Sequence, residues 1–549
     1  MTGAAKTYDG APGCYSRARS LDTAAHAAEH APSAAGALPG LTTSAFDVLV
    51  VGGGINGSGI ARDAAGRGLK VLLCEQDDLA AHTSSASTKL IHGGLRYLEE
   101  FHFSLVRKAL REREVLLAAA PHIMRPLHFV MPHAAHLRPA WMIRAGLFLY
   151  DHLAKRAHLA ASASIDLRTH IAGAALQEGY RRGFVYSDGW VDDARLVVLN
   201  ALDAQAHGAT VLTRVRCEQL QPLQGGWRAV LQTSQCPVSV TARVIVNATG
   251  PWVSDFIRRL TPVRSEHQVR LVKGSHIVVP RLFDHRYAYI FQNEDRRIVF
   301  AIPYEHEFTL IGTTDVDYHS DPAAVHIEAD EVTYLCDLAN RYFRRQLTVS
   351  DVRWSYSGVR PLLQDESNDP MSVTRDYALE LEREPAPLLS VFGGKITTYR
   401  KLSEDAVNVL GQVLGRHGTP WTGTALLPGG DLPEGSFGVF LRTLERRYRW
   451  LPGSLRRRWA HAYGTRIERL LGAAATLQDL GAEILPQLFE RELEYLCAQE
   501  FAVTAEDILW RRSKLGLHLL PNDLTPLRTW LRERAARAGR RPALAAGIP

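Results

Sequence analysis

The segment Phe46–Glu75 constrains the fold of this chain more than any other, because it carries the pattern of a strand–helix–strand unit. It opens with Val48–Val51, a β-branched run typical of a buried parallel strand. The turn Gly52–Gly57 has the spacing G-x-G-x-x-G and leads into a helical segment that ends at a second pair of glycines. A second strand, Val71–Cys74, follows, with Glu75 at its end. The pattern predicts a dinucleotide-binding unit of an α/β fold.

Each part of this unit has a physical function. Gly52 permits the tight turn, Gly54 lets the backbone approach a pyrophosphate, and Gly57 lets the helix pack on the strand. The helix N-terminus offers free N–H groups to the phosphates. Glu75 is placed to accept hydrogen bonds from an unphosphorylated ribose, which favours FAD or NAD over NADP. The predicted cofactor contacts in this turn are Gly52, Gly53, Gly54, Ile55, Asn56 and Gly57.

Three later stretches are predicted to reach the same cofactor. The first is a hydroxyl-rich loop followed by a glycine pair, a combination that suits phosphate, ribose and close backbone approach. The second ends a buried strand in Ala-Thr-Gly, and the third is another glycine-rich strand-to-helix turn. Their candidate contacts are Thr83, Ser84, Ser85, Ser87, Lys89, Gly93 and Gly94; Ala248 and Gly250; and Gly394, Lys395, Ile396 and Thr397.

Composition excludes several classes of protein. The net charge of +6 over 549 residues is too small to indicate nucleic-acid binding. The six cysteines form no C-x-x-C pair, which argues against a zinc site or a disulfide framework and predicts no bound metal. No apolar run has the roughly 18 residues of a membrane-spanning helix. Residues 1–45, rich in Ala, Gly, Ser and Pro, are predicted to form a disordered tail.

The rest of the chain suggests further layers around the dinucleotide unit. Between Val269 and Val316 short alternating segments predict antiparallel strands. We therefore expect a two-dinucleotide-binding-type FAD Rossmann domain with an interleaved antiparallel-sheet substrate domain and a C-terminal α-helical domain. The expected boundaries are a tail at 1–45, the FAD-binding domain at 46–425 with substrate segments at about 120–180 and 265–357, and a helical cap at 426–549.

Several blocks between about Phe46 and Trp530 closely resemble one enzyme family, the membrane-associated FAD-dependent glycerol-3-phosphate dehydrogenases of aerobic bacteria. The blocks are TSSASTKLIHGGLRYLE, RPAWMIRAGLFLYDHLAKR, NATGPWV, KGSHIVVP, IGTTDVDY, SGVRPL and FGGKITTYRKL. The resemblance implies that glycerol 3-phosphate is oxidised to dihydroxyacetone phosphate and that FAD passes the electrons to a membrane quinone, ubiquinone or menaquinone. A calcium-binding extension like that of the mitochondrial relatives is not expected.

The resemblance also implies roles for particular residues. It places His276, Thr313 and Arg360 around the reacting end of the substrate, and Arg96, Tyr97, Arg375 and Lys395 near its phosphate. A phosphate dianion needs fixed cations, so Lys273 joins the candidates for substrate binding. His276 and His92 are alternative bases, and each is alternatively a packed structural histidine. Lys395 is alternatively placed to stabilise negative charge on the reduced flavin.

Membrane attachment is expected at the inner face of the cytoplasmic membrane, without a spanning helix. Between Arg442 and Arg469 there are nine arginines and two glutamates, with Tyr448, Trp450, Leu451 and Trp459 among them. Between Arg528 and Arg541 there are six arginines and one glutamate. Basic helices with aromatic residues suit an anionic membrane surface, although a solvated helix face is the alternative. The apolar segment Trp141–Ala154 is either a core helix or a second membrane or partner contact.

Other functions remain alternatives at this stage. An oxidase of the same fold would pass electrons to oxygen, and a flavin amino-acid oxidase uses the same glycine-rich layout. A nucleotide-binding module that serves as a membrane or RNA scaffold would need neither the intact glycine motifs nor the set of cations. A homodimer is left open.

Overall fold

The structure is a computed structural model, and it describes residues 45–99, 101–134, 137–293, 297–363, 376–519 and 523–539. The strands, numbered along the chain, are β1 Ala45–Val51, β2 Val71–Glu75, β3 Leu90–Ile91, β4 Met124–Pro132, β5 Ala163–Asp166, β6 Arg182–Val191, β7 Thr210–Thr213, β8 Arg216–Leu223, β9 Gly226–Gln232, β10 Pro237–Asn247, β11 Val269–Pro280, β12 Ala288–Gln292, β13 Ile298–Tyr304, β14 Phe308–Gly312, β15 Val316–Asp317, β16 Trp354–Leu363, β17 Tyr377–Glu382, β18 Leu388–Gly393, β19 Glu483–Leu485 and β20 Leu488–Phe489.

The helices are α1 Ile55–Gly66, α2 Phe103–Ala119, α3 Ala140–His152, α4 Asp193–Ala206, α5 Val253–Leu260, α6 Ala329–Tyr342, α7 Tyr399–Leu414, α8 Phe437–Arg447, α9 Gly453–Tyr463, α10 Ile467–Leu471, α11 Glu490–Gln499, α12 Gly516–Leu519 and α13 Thr525–Gly539. A π-helical segment spans Asp507–Arg512.

The first layer is a mostly parallel sheet in the order β17-β18-β10-β1-β2-β7. Strands β1, β2, β7, β10 and β18 run parallel, while β17 and the β8–β9 pair are antiparallel additions. One face packs against α1, α4 and α7 in a continuous apolar core, and the other packs against α5. Parallel strands need crossover helices, so burial on both faces explains the near-continuous apolar run of β1.

The second layer is a ten-stranded sheet in the order β15-β11-β14-β13-β12-β4-β6-β3, with β16 paired to β11 and β5 to β6. Its pairs are antiparallel apart from β12–β4. Helix α6 covers one face, and α2 and α3 lie over part of the other. The expected fold class is thereby confirmed: a Rossmann layer with an interleaved, largely antiparallel sheet.

The C-terminal part has a separate apolar core that runs from Leu432 to Trp530. Buried bidentate ion pairs attach it to the Rossmann layer. Arg195 of α4 pairs with Glu500, and Arg512 pairs with Asp78, which follows β2. Burial of such charges is tolerable only because both partners are present. The residue numbers of the domain boundaries stay predictions.

Helix α3 is less buried than a core helix would be. Leu147 and Tyr150 are buried, whereas Trp141 is 69% exposed and Phe148 is 57% exposed. One narrow stripe therefore faces the molecule and the rest of the apolar surface faces outward. The membrane or partner alternative is the one that fits this arrangement.

Candidate active site

A cavity of about 1130 Å³ lies where the two sheets meet. The turns that follow β1, β2, β10 and β18 form one wall, which fits the rule that ligands bind beyond the carboxyl ends of parallel strands. Strands β11 and β16 and the segment after β14 contribute the other wall. Predicted site residues that line it are Gly52, Gly54, Ile55, Asn56, Glu75, Thr83, Ser84, Ser87, His92, Tyr97, Ala248, Gly250, Thr313, Arg360, Gly394, Lys395, Ile396 and Thr397.

The first glycine turn is held by close backbone packing. Gly52 has a φ of +112°, and a Cβ there would lie 2.5 Å from the carbonyl oxygen of Ala248. A Cβ on Gly57 would lie 1.8 Å from the carbonyl oxygen of Gly52. A Cβ on Gly54 would meet only the Ser84 Oγ, at 3.0 Å, on the cavity side. Gly52 and Gly57 are therefore required by the turn itself, whereas Gly54 keeps space open in the cavity.

The second glycine turn meets the first one. Asn56 Nδ2 donates a hydrogen bond to the carbonyl oxygen of Gly393 at 3.3 Å, and Gly394 has a φ of +96°. Asn56 Oδ1 is buried and has no hydrogen-bond partner among the described residues. A buried acceptor of this kind costs free energy unless a ligand donor satisfies it. The two turns and this acceptor fit a flavin dinucleotide spanning the cavity.

Glu75 is oriented by backbone. Its Oε2 accepts from Gly53 N at 2.6 Å and its Oε1 accepts from Asp77 N at 2.8 Å. Burial raises the pKa of this carboxyl, and the backbone hydrogen bonds oppose that shift. A carboxylate oxygen can accept more than one hydrogen bond, so both oxygens keep acceptor capacity for ribose hydroxyls.

The hydroxyl-rich loop is divided between cavity and interior. Ser84 Oγ accepts from Ile55 N at 3.0 Å at the start of α1, and Thr83 Oγ1 donates to the carbonyl of Val359 at 2.7 Å. Ser85 and Lys89 do not reach the cavity wall. Lys89 is buried, and its Nζ lies 2.7 Å from Asp193 Oδ2. The prediction that Lys89 contacts the cofactor is corrected: its ammonium is inside the protein, where it must be paired.

The glycine pair after the loop is also structural. Gly93 N donates to the Tyr150 hydroxyl at 2.9 Å and to Asp188 Oδ1 at 3.3 Å. A Cβ on Gly93 would lie 2.4 Å from Leu110, and Gly94 has a φ of +77°. Neither glycine lines the cavity, so the predicted direct cofactor contact is replaced by a role in bringing the next residues to it.

A cationic end of the cavity forms beside these residues. Lys395 Nζ lies 3.9 Å from the centre of the Tyr97 ring, and both line the cavity together with His92. His92 N donates to Thr397 Oγ1 at 3.1 Å, which joins the loop to the second glycine turn. Arg96 lies on the same short helix as Tyr97 but outside the cavity wall. Arg375 lies outside the described residues.

Arg360 is the fixed cation of the opposite wall. Its Nη1 donates to Asp315 Oδ1, and its Nη2 donates to Thr313 Oγ1 at 2.9 Å. A Cβ on Gly274 of β11 would lie 2.2 Å from Nη2, so a side chain there would displace the guanidinium from this position. Asp315 was not singled out from the sequence, although it belongs to the block IGTTDVDY.

His276 is buried behind the cavity wall. Its Nε2 lies 3.0 Å from Thr88 Oγ1, and its ring stacks on Tyr356 with centroids 4.8 Å apart. Burial, followed by the charge of Arg360, holds the pKa of His276 well below its ordinary value. Thr88 lines the cavity and His276 does not. Sequence reasoning missed Thr88, which sits within the quoted hydroxyl block.

Lys273 requires a correction. Its Nζ lies 2.8 Å from Glu331 Oε2 of α6, and it does not line the cavity. The reason is the two-residue period of a strand: Gly274 and His276 face the cavity side of β11, so Lys273 faces the helix side. Lys273 belongs to a sequence block shared with the family, but its side chain does not reach the substrate site.

Comparison with known proteins identifies the family. Residues 47–400 match the family described as FAD dependent oxidoreductase, and residues 421–523 match the C-terminal domain of alpha-glycerophosphate oxidase. The glycerol-3-phosphate dehydrogenase of Pseudomonas aeruginosa is 55% identical over 490 residues, which are 88% of this chain and 95% of that protein. This chain belongs to the FAD-dependent glycerol-3-phosphate dehydrogenase family.

Two further relatives refine this assignment. The solved glycerol-3-phosphate dehydrogenase of Bacillus halodurans complexed with FAD has a TM-score of 0.74 and 28% identity, covering 90% of this chain and 92% of that one. The D-erythritol 1-phosphate dehydrogenase of Brucella abortus is 48% identical over 487 residues, 88% of this chain and 97% of that protein. The predicted cofactor is confirmed as FAD, and the predicted family is confirmed. The roles of single site residues stay predictions.

Proposed function

We propose that the enzyme oxidises sn-glycerol 3-phosphate to dihydroxyacetone phosphate and passes the electrons from FAD to a membrane quinone. The observation that carries this proposal is the fixed position of the Arg360 guanidinium. It is fixed in the cavity wall by Asp315 and Thr313, across from the glycine turns that hold the cofactor. A guanidinium held in this way is suited to an oxygen that gains negative charge during alcohol oxidation.

The two ends of the substrate need different partners. The phosphate dianion suits Lys395 beside Tyr97, with Arg96 and Arg375 as further candidates from the family resemblance. The secondary alcohol suits Arg360 and Thr313. Bound FAD supplies the hydride acceptor for the carbon that carries this alcohol.

The test is an anaerobic titration of the purified, flavin-loaded enzyme with glycerol 3-phosphate. Bleaching of the oxidised flavin band is expected, followed by formation of dihydroxyacetone phosphate in equal amount. Glycerol and free amino acids serve as controls, because they lack the phosphate or offer an amine in its place. An unchanged flavin spectrum with glycerol 3-phosphate, or equal bleaching by an amino acid, would reject the proposal.

D-Erythritol 1-phosphate is a second candidate substrate, favoured by the 48% identity to the Brucella abortus enzyme of that name. Both substrates share a phosphate and a secondary alcohol, so the same cations serve either. The ratio of kcat/KM for the two compounds decides between them. A ratio in favour of the four-carbon compound would reassign the substrate while leaving the reaction type intact.

The quinone acceptor is testable separately from the first half-reaction. Enzyme reduced with substrate is mixed with a ubiquinone or menaquinone analogue, and in parallel with air-saturated buffer. Reoxidation by a quinone that is faster than reoxidation by oxygen is expected. The opposite order would favour the oxidase alternative.

We propose that the enzyme attaches to the membrane through α3 rather than through the C-terminal helices. Tyr448, Leu451 and Trp459 are buried in the C-terminal core, so the aromatic part of the sequence prediction is wrong for them. Arg458 is likewise bound internally, to Glu492. Among the described residues, no helix is both long and apolar enough to cross a bilayer. The exposed apolar residues around α3 are Phe101, Phe103, Trp141, Met142, Phe148 and Leu149.

A basic depression adjoins this apolar surface. It has a volume of about 600 Å³ and is lined by Phe103, Ser104, Leu153, Arg107, Lys108, Arg111, Arg400, Lys401, Glu112 and Glu404. Arg400 is paired with Glu112 and Glu404, and Lys401 with Glu404, so the cations offered to a lipid phosphate are those of α2. Apolar residues that enter the headgroup region beside cations that meet lipid phosphates are typical of proteins that lie on a membrane. We propose that this surface contacts the inner face of the cytoplasmic membrane.

Liposome sedimentation tests the membrane contact. Trp141→Ser combined with Phe148→Ser should abolish binding to vesicles that contain anionic lipid, while the flavin content stays unchanged. The matched control is Leu426→Ser, which alters another exposed apolar residue in a part of the chain distant in sequence from α3. Equal binding by the α3 variant and wild type would reject this surface.

A further inference from the structure

Thr88 is the cavity-lining hydroxyl that separates a buried histidine from the substrate space. Its Oγ1 lies 3.0 Å from His276 Nε2. In the sheet register, Gly312 pairs with His276 on one side and with Phe300 on the other. Thr313, the next residue, lies at the cavity wall. The Thr88 hydroxyl is therefore close to the part of the cavity where Thr313 and Arg360 reside.

The position of Thr88 is fixed by the antiparallel sheet. The Tyr356 hydroxyl donates to the carbonyl of Ser87 at 2.8 Å, immediately before Thr88. A Cβ on Gly358 would lie 2.8 Å from Ala86 Cβ, so strand β16 is in contact with the loop two residues earlier. Both contacts hold the loop against the wall that carries Arg360.

His276 is equally well fixed. Its ring stacks on Tyr356 with an interplanar angle of 15°, and a Cβ on Gly312 would lie 2.1 Å from its Cδ2. The ring is 1% exposed. Burial, followed by the charge of Arg360, lowers the pKa of His276, so the ring is neutral at neutral pH. Its Nδ1 is buried without a hydrogen-bond partner among the described residues. Nε2 accepts from the Thr88 hydroxyl in the tautomer that carries the ring proton on Nδ1.

We propose that Thr88 relays the proton of the substrate alcohol to His276. This relay rests on the proposed oxidation of a phosphorylated secondary alcohol. The C–H bond breaks with both electrons and the hydride passes to oxidised FAD, the acceptor of the family reaction. The alcohol O–H proton passes to Thr88 Oγ1, and the Thr88 proton passes to His276 Nε2. The C–O single bond becomes a carbonyl, and Arg360 stabilises the oxygen during the transfer.

The relay explains how a histidine outside the cavity wall takes part in catalysis. It also distinguishes His276 from His92, which lines the cavity and would accept a proton directly. If His92 were the acceptor, loss of the Thr88 hydroxyl would leave the rate unchanged.

The experiment compares T88V and T88S with wild type in anaerobic single-turnover reduction by glycerol 3-phosphate. T88V, nearly isosteric, should be reduced about 10²-fold more slowly, the usual worth of an acid–base group. T88S restores the hydroxyl and should remain within about threefold of wild type. The matched control is T309V, a buried threonine of the same sheet whose Oγ1 accepts from Leu282 N away from the cavity. It should be reduced at the wild-type rate.

Two further measurements separate a relay from a structural effect. Flavin content and the dissociation constant for dihydroxyacetone phosphate, measured calorimetrically, should be unchanged in T88V. The double variant T88V/H276N should be no slower than the slower single variant, because members of one relay act as a unit.

The proposal is overturned by reduction of T88V at the wild-type rate, by failure of T88S to restore the rate, or by effects of T88V and H276N that multiply. Weakened product binding in T88V that accounts for the whole rate loss would also overturn it. If wild-type flavin is not bleached by glycerol 3-phosphate, the proposed function fails first, and the two failures are thereby distinguishable.

Discussion

The two walls of the cavity are built on different principles. The wall from the parallel sheet offers mainly backbone: glycine turns, a helix N-terminus, and a carboxylate held by peptide N–H groups. The wall from the antiparallel sheet offers side chains, with Arg360 held by Asp315 and Thr313. An added side chain on the backbone wall should prevent cofactor binding. Loss of charge or of geometry on the side-chain wall should slow the reaction. The following substitutions test this contrast through flavin content and flavin reduction.

The largest expected effect is that of Gly54→Val on the backbone wall. The added side chain would enter the cavity beside Ser84 and occupy the space of the pyrophosphate. We expect folded but colourless protein, with no bound FAD by absorbance and a circular dichroism spectrum like that of wild type.

The control for this change is Gly146→Val on α3, where a Cβ would meet nothing within 4 Å. It should keep its full flavin content. Full flavin content in Gly54→Val would show that the first glycine turn does not approach the cofactor.

Arg360→Lys tests the side-chain wall while keeping the charge. A lysine lacks the two guanidinium nitrogens that donate to Asp315 and Thr313 at the same time, so its cation is not held in one orientation. We expect FAD to stay bound and the anaerobic rate of flavin reduction to fall by about 10²-fold.

Arg270→Lys is the matched control, since Arg270 forms a similar fork with Asp317 on the surface of the same sheet. Its flavin should be reduced at the wild-type rate. Reduction of Arg360→Lys at that rate would remove Arg360 from the reaction.

Asp315→Asn should have a smaller effect on the same wall. It leaves Arg360 in place but weakens the charge-assisted hydrogen bond to its Nη1. A loss of about 1.5 kcal/mol corresponds to a rate of flavin reduction about tenfold lower. The measurement is again single-turnover reduction, with Asp317→Asn as control; an Asp315→Asn rate equal to wild type would show that Thr313 alone orients the guanidinium.

Lys273→Met should have the smallest effect on the reaction and a large one on stability. Lys273 lies on the α6 side of β11, so the rate should stay within about twofold of wild type. Glu331 would be left buried without its cation, which costs about 3 kcal/mol of unfolding free energy. Urea unfolding measures this loss, and Arg168→Met, which breaks an exposed pair with Asp166, should change little. A rate loss without a stability loss would return Lys273 to the substrate site.

Glu331 also predicts a pH dependence of that stabilisation. Burial alone would raise its pKa, but hydrogen bonds from the Glu328 N–H, Lys273, Thr314 and Ser275 outweigh it and lower the pKa below 4.5. A carboxyl with a lowered folded pKa stabilises the protein above its unfolded pKa and ceases to do so as the pH falls through the folded value. The stability difference between wild type and Lys273→Met should therefore shrink on acidification below about pH 4.5.

Sequence reasoning succeeded where short-range pattern and chemistry coincide. Gly52, Gly54, Ile55 and Asn56 of the first turn, Glu75, and Gly394 of the second turn line the cavity, because strand, turn and helix in sequence leave one geometry for the turn. Gly53 and Gly57, also predicted there, do not line it. Sequence reasoning failed where a basic residue was assumed to point its side chain into the cavity. Lys89 and Lys273 lie in blocks shared with the family, yet each ammonium is paired inside the protein.

The same distinction holds for the surface. Aromatic residues among arginines, such as Trp459, suggested a membrane contact and are buried in the C-terminal core. The apolar segment of α3 was compatible with a core helix or with a membrane or partner contact, and in the fold it exposes Trp141 and Phe148. Hydropathy is a property of single residues, whereas burial depends on which neighbours the fold brings to each face.

The sequence by itself determined the dinucleotide unit, the FAD-type layout and the family, since these depend on local spacing and on blocks of identical residues. The tertiary structure alone decided that Thr88 stands between His276 and the cavity and that Asp315 orients Arg360. These contacts join residues from distant strands. Their geometry follows from sheet register and strand alternation, which no local pattern encodes.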